Sequence, residues 1–517
     1  MMKLIGMVMM CMLSFGAIAA PQYIQHRPLD QRISTPVSNV SSSTDQLPII
    51  TWGGDIATIF GNGNQRSTSK GSIFDKHGLK FKLVREDVFA NQVKNYLSGK
   101  TPYLRGTLGM INSASYLLSK NSKTKPVVFY QMTWSSGGDA LVVKSSVKKV
   151  KDLKGKTIAL QADGPHVDYL ARILGDAGLT VNDIAIKWLP DLTGTDNSPM
   201  AAFYENGIDA AFVIIPDALA LTSGGNVGTG SEDSVKGAKI LMSTKTANRV
   251  IADVYAVRSD YYQANKTKVH TLAKALMEAE EALGKLITNR SSQAGAYKKA
   301  MMASAEILLD SPEAIADAEG LYADCAFVHF DGNVKFFTDR KYPRHLEKVS
   351  REINVGLKQF GLVTGKNALD KANINYKQLK TGLGVTSVAQ KSRFKKDEVS
   401  ALVARKQQQN SLEESELFSF EVYFKPNQKS FSADLYKDDF SKLVDLASTY
   451  GGAIISVEGH ADPMEYLRAK KKSQPNIVLG RIKQSARNLS LSRAQSVRDE
   501  IIEFAELKGI RMDTAQF

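Results

Sequence analysis

Short apolar runs alternate with amphipathic segments over the first half of the chain, beginning at residue 47. The runs have the length of β-strands and lie at 49–52, 79–84, 107–111 and 127–132. Between them, apolar residues recur every three or four positions, which is the spacing of a helix with one buried face. This order of strands and helices predicts an α/β fold in which a largely parallel sheet carries helices on both faces.

The same pattern starts again in a second unit. Strands are expected at 156–161 and 210–215, with a helix at 167–177 between them. A longer helix is expected at 269–287, where the apolar positions form one stripe. The chain therefore predicts two α/β lobes, of which the second spans about 145–245.

The first twenty residues have a different character from the rest of the chain. Lys3 gives this segment a short basic start, and an apolar run follows from Leu4 to about Phe15. Ala17 to Ala20 then supply the small residues that a signal peptidase requires. The apolar run is too short to span a bilayer, and we expect no transmembrane helix elsewhere. We therefore interpret residues 1–20 as a signal peptide and the protein as exported.

Composition also divides the remainder of the chain. Residues 21–47 are rich in Ser, Pro, Gln and Thr, which predicts a flexible leader. Residues 386–415 are polar and strongly charged, which predicts a linker. We place a two-lobed unit at 48–385 and a small C-terminal unit at 416–517. A length of 517 residues agrees with several separate hydrophobic cores.

The net charge indicates which partners the protein binds, and the cysteine content limits the disulfides that it can form. The formal net charge of +14 suits an anionic partner such as a wall polymer or a lipid surface, although solubility alone would also explain it. We expect no nucleic-acid partner. Cys325 is the only cysteine outside the predicted signal peptide, so no disulfide can form within the mature chain. We expect its side chain to be a small buried apolar group.

The C-terminal unit carries the most specific motif. A strand-like run at 453–458 leads into Gly459-His460-Ala461-Asp462. Further on, Leu489-Ser490 and Arg493-Ala494 open a predicted helix on which Ser490 would be the N-cap. These residues resemble the OmpA-like peptidoglycan-binding domains, which have a small α+β fold.

The resemblance implies that Asp462 and Arg493 bind the diaminopimelate of the peptidoglycan peptide stem, with Gly459 and His460 in the same loop. A carboxylate would pair with the ammonium group of this ligand, and a planar guanidinium would hold its carboxylate by two hydrogen bonds. The alternative without a ligand is that Asp462 is a turn residue and Arg493 an exposed helix residue.

The chain departs from the OmpA-like pattern in three places. Asp462 and Leu489 are separated by 26 residues, more than the family has, and Ala486 stands where the family has Asn. The chain stops soon after Gly509, so we expect either a truncated unit or a sheet that lacks one strand. The added segment, 466–488, has seven basic residues and no acidic residue. It is either a site for an anionic wall polymer or lipid head groups, or a solvated loop.

A second resemblance concerns the two-lobed unit. Its clearest segment is Val150 to Leu160, where Asp-Leu-Lys-Gly-Lys leads into a strand, and the segments that begin at Phe89, Gly207 and Ala256 are similar in character. They resemble the type 2 periplasmic solute-binding proteins of the nitrate, sulfonate and taurine group. The resemblance implies a two-lobed periplasmic-binding-protein fold, a small anionic or zwitterionic ligand, and an ABC-transporter permease as partner.

In folds of this type the ligand lies in the crevice at the carboxyl ends of the strands. Glycines there would allow close approach of the backbone, tryptophans would enclose an apolar part, and aspartates would pair with an amine. Free N–H groups at the start of the helix at 167–177 would favour an anionic group. The alternatives are core packing for the tryptophans and simple turns for the glycines. The candidate residues are Trp52, Gly53, Gly54, Asp55, Asn112, Ser113, Trp134, Ser135, Gly137, Asp139, Gly164, His166 and Asp217.

Motifs for catalysis, metal binding and phosphate binding are missing from the sequence. We therefore expect a binding protein without enzymatic activity, metal or cofactor. The sequence predicts a periplasmic small-molecule binding protein that its C-terminal domain anchors to peptidoglycan, at the cell wall or the outer membrane. The alternatives are a wall-attached scaffold whose binding fold has lost its ligand, and an enzyme that acts on cell-wall precursors.

Overall fold

The computed structural model describes most of the chain. The described residues are 20–41, 46–231, 234–366, 368–381, 383, 416–425, 428–451, 453–510, 512 and 516–517. The predicted signal peptide, apart from its last residue, and the predicted linker at 386–415 lie outside the described residues.

The strands alternate with helices through the first part of the chain, as predicted. They are β1 (Gln46–Ile49), β2 (Lys82–Arg85), β3 (Tyr103–Thr107), β4 (Pro126–Ser135), β5 (Asp139–Val143), β6 (Thr157–Gln161), β7 (Ala185–Leu189), β8 (Ala210–Ile214), β9 (Lys239–Ser243), β10 (Ala252–Arg258), β11 (Cys325–Phe327) and β12 (Asp370–Lys371).

The helices become more frequent after β10. They are α1 (Leu29–Arg32), α2 (Asp55–Gly61), α3 (Ile73–Lys76), α4 (Phe89–Leu97), α5 (Leu108–Ser119), α6 (Val167–Asp176), α7 (Pro199–Phe203), α8 (Ile215–Leu221), α9 (Ser259–Ala264), α10 (Lys266–Thr288), α11 (Ala294–Leu309), α12 (Ile315–Ala323), α13 (His329–Thr338), α14 (Leu346–Gln359), α15 (Tyr376–Lys380), α16 (Lys437–Thr449), α17 (Met464–Lys471) and α18 (Asn476–Leu507).

Two five-stranded sheets form the centres of two lobes. In the first lobe the order is β11-β4-β10-β3, with β12 beside β4, and β1 and β2 form a separate parallel pair. In the second lobe the order is β7-β6-β8-β5-β9. The predicted two-lobed α/β architecture is therefore confirmed.

The prediction of largely parallel sheets is wrong. Strand β10 runs antiparallel between β3 and β4, and β5 runs antiparallel between β8 and β9. The parallel pairs β6–β7 and β6–β8 occupy the other half of the second sheet. The antiparallel strands are the ones that join the lobes, because the chain enters the second lobe through β5 and returns to the first through β10.

One predicted strand is a helix. The apolar run at 107–111 was expected to be extended, but β3 ends at Thr107 and α5 begins at Leu108. Thr107 caps this helix, because its hydroxyl accepts a hydrogen bond of 3.1 Å from the backbone N–H of Met110. A short apolar run fits a buried strand or a buried helix equally well, so periodicity could not distinguish them.

The lobes are joined by two crossing segments, 136–138 between β4 and β5, and 244–251 between β9 and β10. Thr244 connects them. Its Oγ1 accepts hydrogen bonds from the backbone N–H groups of Gly137 (3.0 Å) and Asp139 (3.1 Å), and it lies 2.9 Å from the Ser135 hydroxyl. Thr244 is fully buried, so water cannot replace these contacts.

Helix α14 packs against both lobes. Its Ser350 lies 3.4 Å from the Asn112 amide nitrogen on α5, in the first lobe. A Cβ atom on Gly356 would lie 2.5 Å from the Cβ atom of Ala171 on α6, in the second lobe. The absence of a side chain at Gly356 thus lets α14 approach α6 closely.

The segment predicted as a flexible leader packs on the body of the protein. Leu29 and Ile33 are buried, and Arg32 forms an ion pair of 2.6 Å with Asp163 in the second lobe. On the side of the first lobe, the Arg258 guanidinium donates to the Ser38 carbonyl at 2.9 Å. Residues 20–41 therefore contact both lobes.

The C-terminal unit is built from helices α16, α17 and α18 in the residues that the structure describes. Residues 453–458, predicted as a strand, and residues 418–424 alternate between exposed and partly buried positions, but neither segment is paired as a strand. Ser490 is not an N-cap. It lies within α18, where its hydroxyl donates to the Ala486 carbonyl.

This unit is docked against the second lobe. On α6, Arg172 forms ion pairs with Asp176, Glu352 and Asp445, and Asp445 lies on α16. Tyr450, at the end of α16, is buried and donates a hydrogen bond of 2.7 Å to Asp176. The backbone N–H of Arg249, in the second crossing segment, donates to the Thr449 carbonyl at 3.2 Å.

Among the described helices, none combines the length and the apolar character needed to cross a membrane.

We expect Thr244→Val to destabilise the protein by about 2–4 kcal/mol, because valine has the same shape but leaves two buried N–H groups without an acceptor. Thr288→Val is the matched control, since the Thr288 hydroxyl is exposed and bonds only within its own helix. Urea denaturation of both variants measures the difference. Equal stability of the two variants would contradict a role of Thr244 in joining the crossing segments.

Candidate functional site

A buried ion cluster lies at the edge of the first sheet. The Arg105 guanidinium, on β3, lies 2.9 Å from an Asp55 carboxylate oxygen at the start of α2 and 2.9 Å from an Asp253 oxygen on β10. All three side chains are buried. Burial raises the pKa of Asp55 to about 7 against the opposing effect of Arg105, and it raises the pKa of Asp253 as well.

Trp52 links this cluster to the first crossing segment. Its indole N–H donates to the Thr133 hydroxyl at 3.0 Å, and that hydroxyl donates to Asp253 at 3.0 Å. A Cβ atom on Gly138 would lie 2.7 Å from the Trp52 ring, so the ring rests directly on the backbone of the crossing segment. Trp52 is half-buried at this position.

A second polar group lies on the second-lobe side. The carboxylate of Asp139 accepts a hydrogen bond of 2.6 Å from the Ser135 hydroxyl and lies 2.7 Å from Nε2 of His166. His166 is completely buried and directly precedes α6. Ser135, Asp139 and His166 are separate candidates in the sequence, and the structure brings them together.

Asp168, on the first turn of α6, was not among the ligand residues predicted from the sequence. Its carboxylate faces the other lobe, and a Cβ atom on Gly109 of α5 would lie 2.4 Å from one of its oxygens. Burial raises the pKa of Asp168 to about 7, and the negative charges of Asp139 and Asp253 act in the same direction. The only signal in the sequence was its position two residues after His166.

Three polar atoms near the start of α6 are buried without a hydrogen-bond partner. They are Nδ1 of His166, Oδ1 of Asp168 and the hydroxyl oxygen of Tyr169. Buried polar atoms are rarely left unpaired, because each costs free energy comparable to a lost hydrogen bond. The carboxylate of Asp168 faces α5 of the first lobe, so its unpaired oxygen marks a place at which a ligand or water would complete the hydrogen bonding.

Other predicted ligand residues have structural roles in the fold. Trp134 is buried and packs edge to face against Phe336, with 6.0 Å between ring centroids. Asn112 bonds to its own helix at Leu108 and faces α14, and Ser113 donates to the Met110 carbonyl.

The predicted glycines mark close approaches of the backbone. A Cβ atom on Gly53 would lie 1.9 Å from the Leu321 carbonyl oxygen, and one on Gly54 would lie 2.5 Å from the Met132 sulfur. Gly164 is crowded by Gln161, and Gly137 has a φ of 132°. These glycines therefore allow protein segments to meet, whether or not a ligand is bound.

Asp217 lies on α8 of the second lobe. One of its oxygens accepts a hydrogen bond of 3.0 Å from Thr193, the other is buried without a partner, and burial raises its pKa.

The predicted wall-binding residues meet at the C-terminal unit. Arg493 donates to the backbone carbonyls of Lys425, Gln428 and His460, at 3.2, 3.0 and 2.8 Å. Its guanidinium also lies 5.0 Å from the centre of the Phe424 ring. These three hydrogen bonds of the guanidinium therefore stabilise the fold.

The loop that contains Asp462 lies beside this arginine. A Cβ atom on Gly459 would lie 1.9 Å from the Ser490 carbonyl oxygen, so the loop can reach α18 only with glycine at this position. Asp462 is exposed, and one of its oxygens accepts a hydrogen bond of 2.9 Å from the backbone N–H of Met464. The other oxygen is available for a ligand on the solvent side.

The described residues contain no group of three or more His, Cys, Asp or Glu side chains that could hold a metal ion.

We expect the stability of the protein to fall as pH rises from about 4 to about 7, since over this range Asp168 keeps its proton in the folded state and loses it when unfolded. Asp168→Asn removes this cost and should be more stable than the wild type at pH 7 and above, by about 1–3 kcal/mol. Urea midpoints between these pH values test it. Asp317→Asn, an exposed control, should follow the wild type; superimposable profiles for all three proteins would show that Asp168 is not held protonated.

Residues 70–285 match the family model described as NMT1/THI5 like. A protein of Brucella abortus (strain 2308), whose name gives it as a binding protein, is 29% identical over 177 residues, which are 33% of this chain and 49% of that protein. The taurine-binding periplasmic protein of Escherichia coli (strain K12) is 28% identical over 176 residues, 34% of this chain and 50% of that protein. The chain spans about half the length of the curated relatives it matches.

A solved structure is also similar to the chain. The alkanesulfonate-binding protein SsuA from Xanthomonas axonopodis pv. citri, bound to MOPS, has a TM-score of 0.37 and 18% identity. The alignment covers 55% of this chain and 86% of SsuA. Over about a third of its length, the chain is thus similar in sequence to binding proteins, one of which is named as periplasmic.

Proposed function

We propose that the protein is an exported solute-binding protein of the ABC-transporter type, which binds a small zwitterionic molecule between its lobes without chemical turnover. The observation that carries the proposal is the buried, unpaired carboxylate oxygen of Asp168 where α6 meets α5, with further unpaired atoms on His166 and Tyr169 at the start of α6. The matched family and the binding proteins among the relatives support the same class of function.

The charges at this place favour a ligand that contains an amine. Asp139 and Asp168 are buried near each other, whereas the Arg105 guanidinium is already paired with Asp55 and Asp253. An ammonium group at Asp168 would satisfy its unpaired oxygen and relieve the repulsion between the carboxylates.

The second candidate is a scaffold that binds no small molecule. It is favoured by Asp168 itself, because its carboxylate already lies against Gly109 at the first turn of α5, where a ligand anion would otherwise bind. It is also favoured by α14 and residues 20–41, which hold the lobes together.

We expect taurine, an amino-sulfonate, to raise the melting temperature of the full chain, and ethanesulfonate, which lacks the amine, to have a much smaller effect. At one hundred times the dissociation constant the stabilisation would be about 2.7 kcal/mol. Asp168→Asn should abolish the response and Asp317→Asn should retain it, as measured by a thermal-shift titration. No stabilisation by either compound would favour the scaffold, and equal stabilisation by both would contradict pairing of the amine with Asp168.

We further propose that the C-terminal unit attaches the protein to peptidoglycan through Asp462 and Arg493. The support is geometric. Arg493 bonds to the His460 carbonyl, two residues before an exposed Asp462 whose outer oxygen is available. A diaminopimelate group would bind at this edge with its ammonium on Asp462. The protein would then be held in the periplasm beside the wall.

We expect Asp462→Asn to weaken binding of the full chain to purified peptidoglycan at least tenfold, because it removes the negative charge that pairs with the ammonium group of the ligand. Asp434→Asn, an exposed substitution in the same unit, is the control. Arg493→Lys tests the guanidinium, with circular dichroism to check the fold, since Arg493 also holds three carbonyls. A co-sedimentation assay in which Asp462→Asn binds as well as Asp434→Asn would contradict the proposed anchor.

A further inference from the structure

The segment 464–490, predicted in part as an insertion, forms a helical hairpin that projects from the C-terminal unit. Helix α17 packs antiparallel beside the first half of α18, and none of its residues is buried. Within α18, the buried residues are Val497, Ile501 and Ala505, all beyond the hairpin. We name residues 464–490 the basic hairpin.

The basic hairpin carries a large excess of positive charge. The structure places all its cationic side chains at exposed positions, and the only acidic residue in the hairpin is at its start, Glu465. Other helices, such as α14 and α16, carry both acidic and basic side chains. Lys483 lies 4.8 Å from the centre of the Tyr466 ring, which is a contact within the hairpin. The cationic residues are Arg468, Lys470, Lys471, Lys472, Arg481, Lys483 and Arg487.

Large apolar side chains are exposed on the same hairpin. Met464 is 44% exposed, Leu467 49%, Ile477 67% and Leu491, just beyond it, 60%. On α17, Met464, Leu467 and Lys471 are spaced by three and four residues, so apolar and basic side chains share one face. Ile477 lies close to the turn, five residues after the end of the basic run at 470–472.

Among possible anionic partners, this combination fits a phospholipid surface best. A sugar polymer or an acidic protein loop would be held by charge alone and would not require exposed leucine and isoleucine side chains. A bilayer that contains anionic lipids attracts the lysines at its surface and accepts the apolar side chains below its head groups.

We propose that the basic hairpin binds the surface of a membrane containing anionic phospholipids, lying on it rather than spanning it. The interaction is independent of the crevice between the lobes and of Asp462. It gives the chain a second attachment, next to the proposed peptidoglycan site.

The test is co-sedimentation of the full chain with vesicles of phosphatidylglycerol and phosphatidylcholine, compared with vesicles of phosphatidylcholine alone. We expect binding to the anionic vesicles only, and a loss of at least tenfold on raising the salt concentration, because the charges are exposed. Binding to neither kind of vesicle would overturn the proposal, as would equal binding to both.

Two pairs of matched variants separate charge from apolar insertion. Lys470→Gln with Lys471→Gln should reduce vesicle binding at least tenfold, whereas Lys298→Gln with Lys299→Gln, an exposed pair on α11, should not. Leu467→Ser with Ile477→Ser should also reduce binding, with the exposed pair Met302→Ser and Val355→Ser as control. These variants should keep the wild-type circular dichroism.

The outcomes decide between partners. If the lysine variants lose peptidoglycan binding but the wild type does not bind vesicles, the hairpin is a contact for wall polymer and the membrane proposal is wrong. If Leu467→Ser with Ile477→Ser binds anionic vesicles as the wild type does, no apolar insertion occurs and the hairpin is only a polyanion contact, which also overturns the proposal.

Discussion

The buried Arg105 guanidinium is the interaction on which the arrangement of the first lobe depends. It joins β3 to the start of α2 through Asp55 and to β10 through Asp253, and β10 is the strand on which the chain returns from the second lobe. Removing one member of such a buried cluster leaves an uncompensated charge, which typically costs about 3–5 kcal/mol. The cluster also sets the position of Trp52, because Thr133 bonds to both Asp253 and the indole.

The second lobe is held to the first by contacts of a different type. Thr244 ties the crossing segments together, α14 packs on both lobes, and residues 20–41 cover the outside. Unpaired buried polar atoms also occur at the start of α6, on His166, Asp168 and Tyr169. In the proposed function, a ligand would supply the missing partners of these atoms.

Local patterns in the sequence predicted the elements but not their associations. The helix expected at 269–287 is α10, and the strand expected at 156–161 is β6, because each has a periodicity set by its own residues. Asp168 could not be selected in this way, since its role depends on Gly109, which lies in the other lobe. For the same reason the docking of Tyr450 on Asp176 was not foreseen. Composition was misleading for residues 20–41, because the buried Leu29 and Ile33 side chains and the contacts of Arg32 and Arg258 hold this polar segment in place.

The docking of α16 beside the second crossing segment makes the C-terminal unit a lever arm. Arg172, Asp445 and Tyr450 tie it to α6, so a rotation of the second lobe that kept these contacts would carry the whole unit with it. Helix α18 has 32 residues and is about 48 Å long. A rotation of about ten degrees would therefore move its far end by roughly 8 Å. Motion of the second lobe would thus become a larger displacement at the far end of α18, and a force on that end would act back on α6.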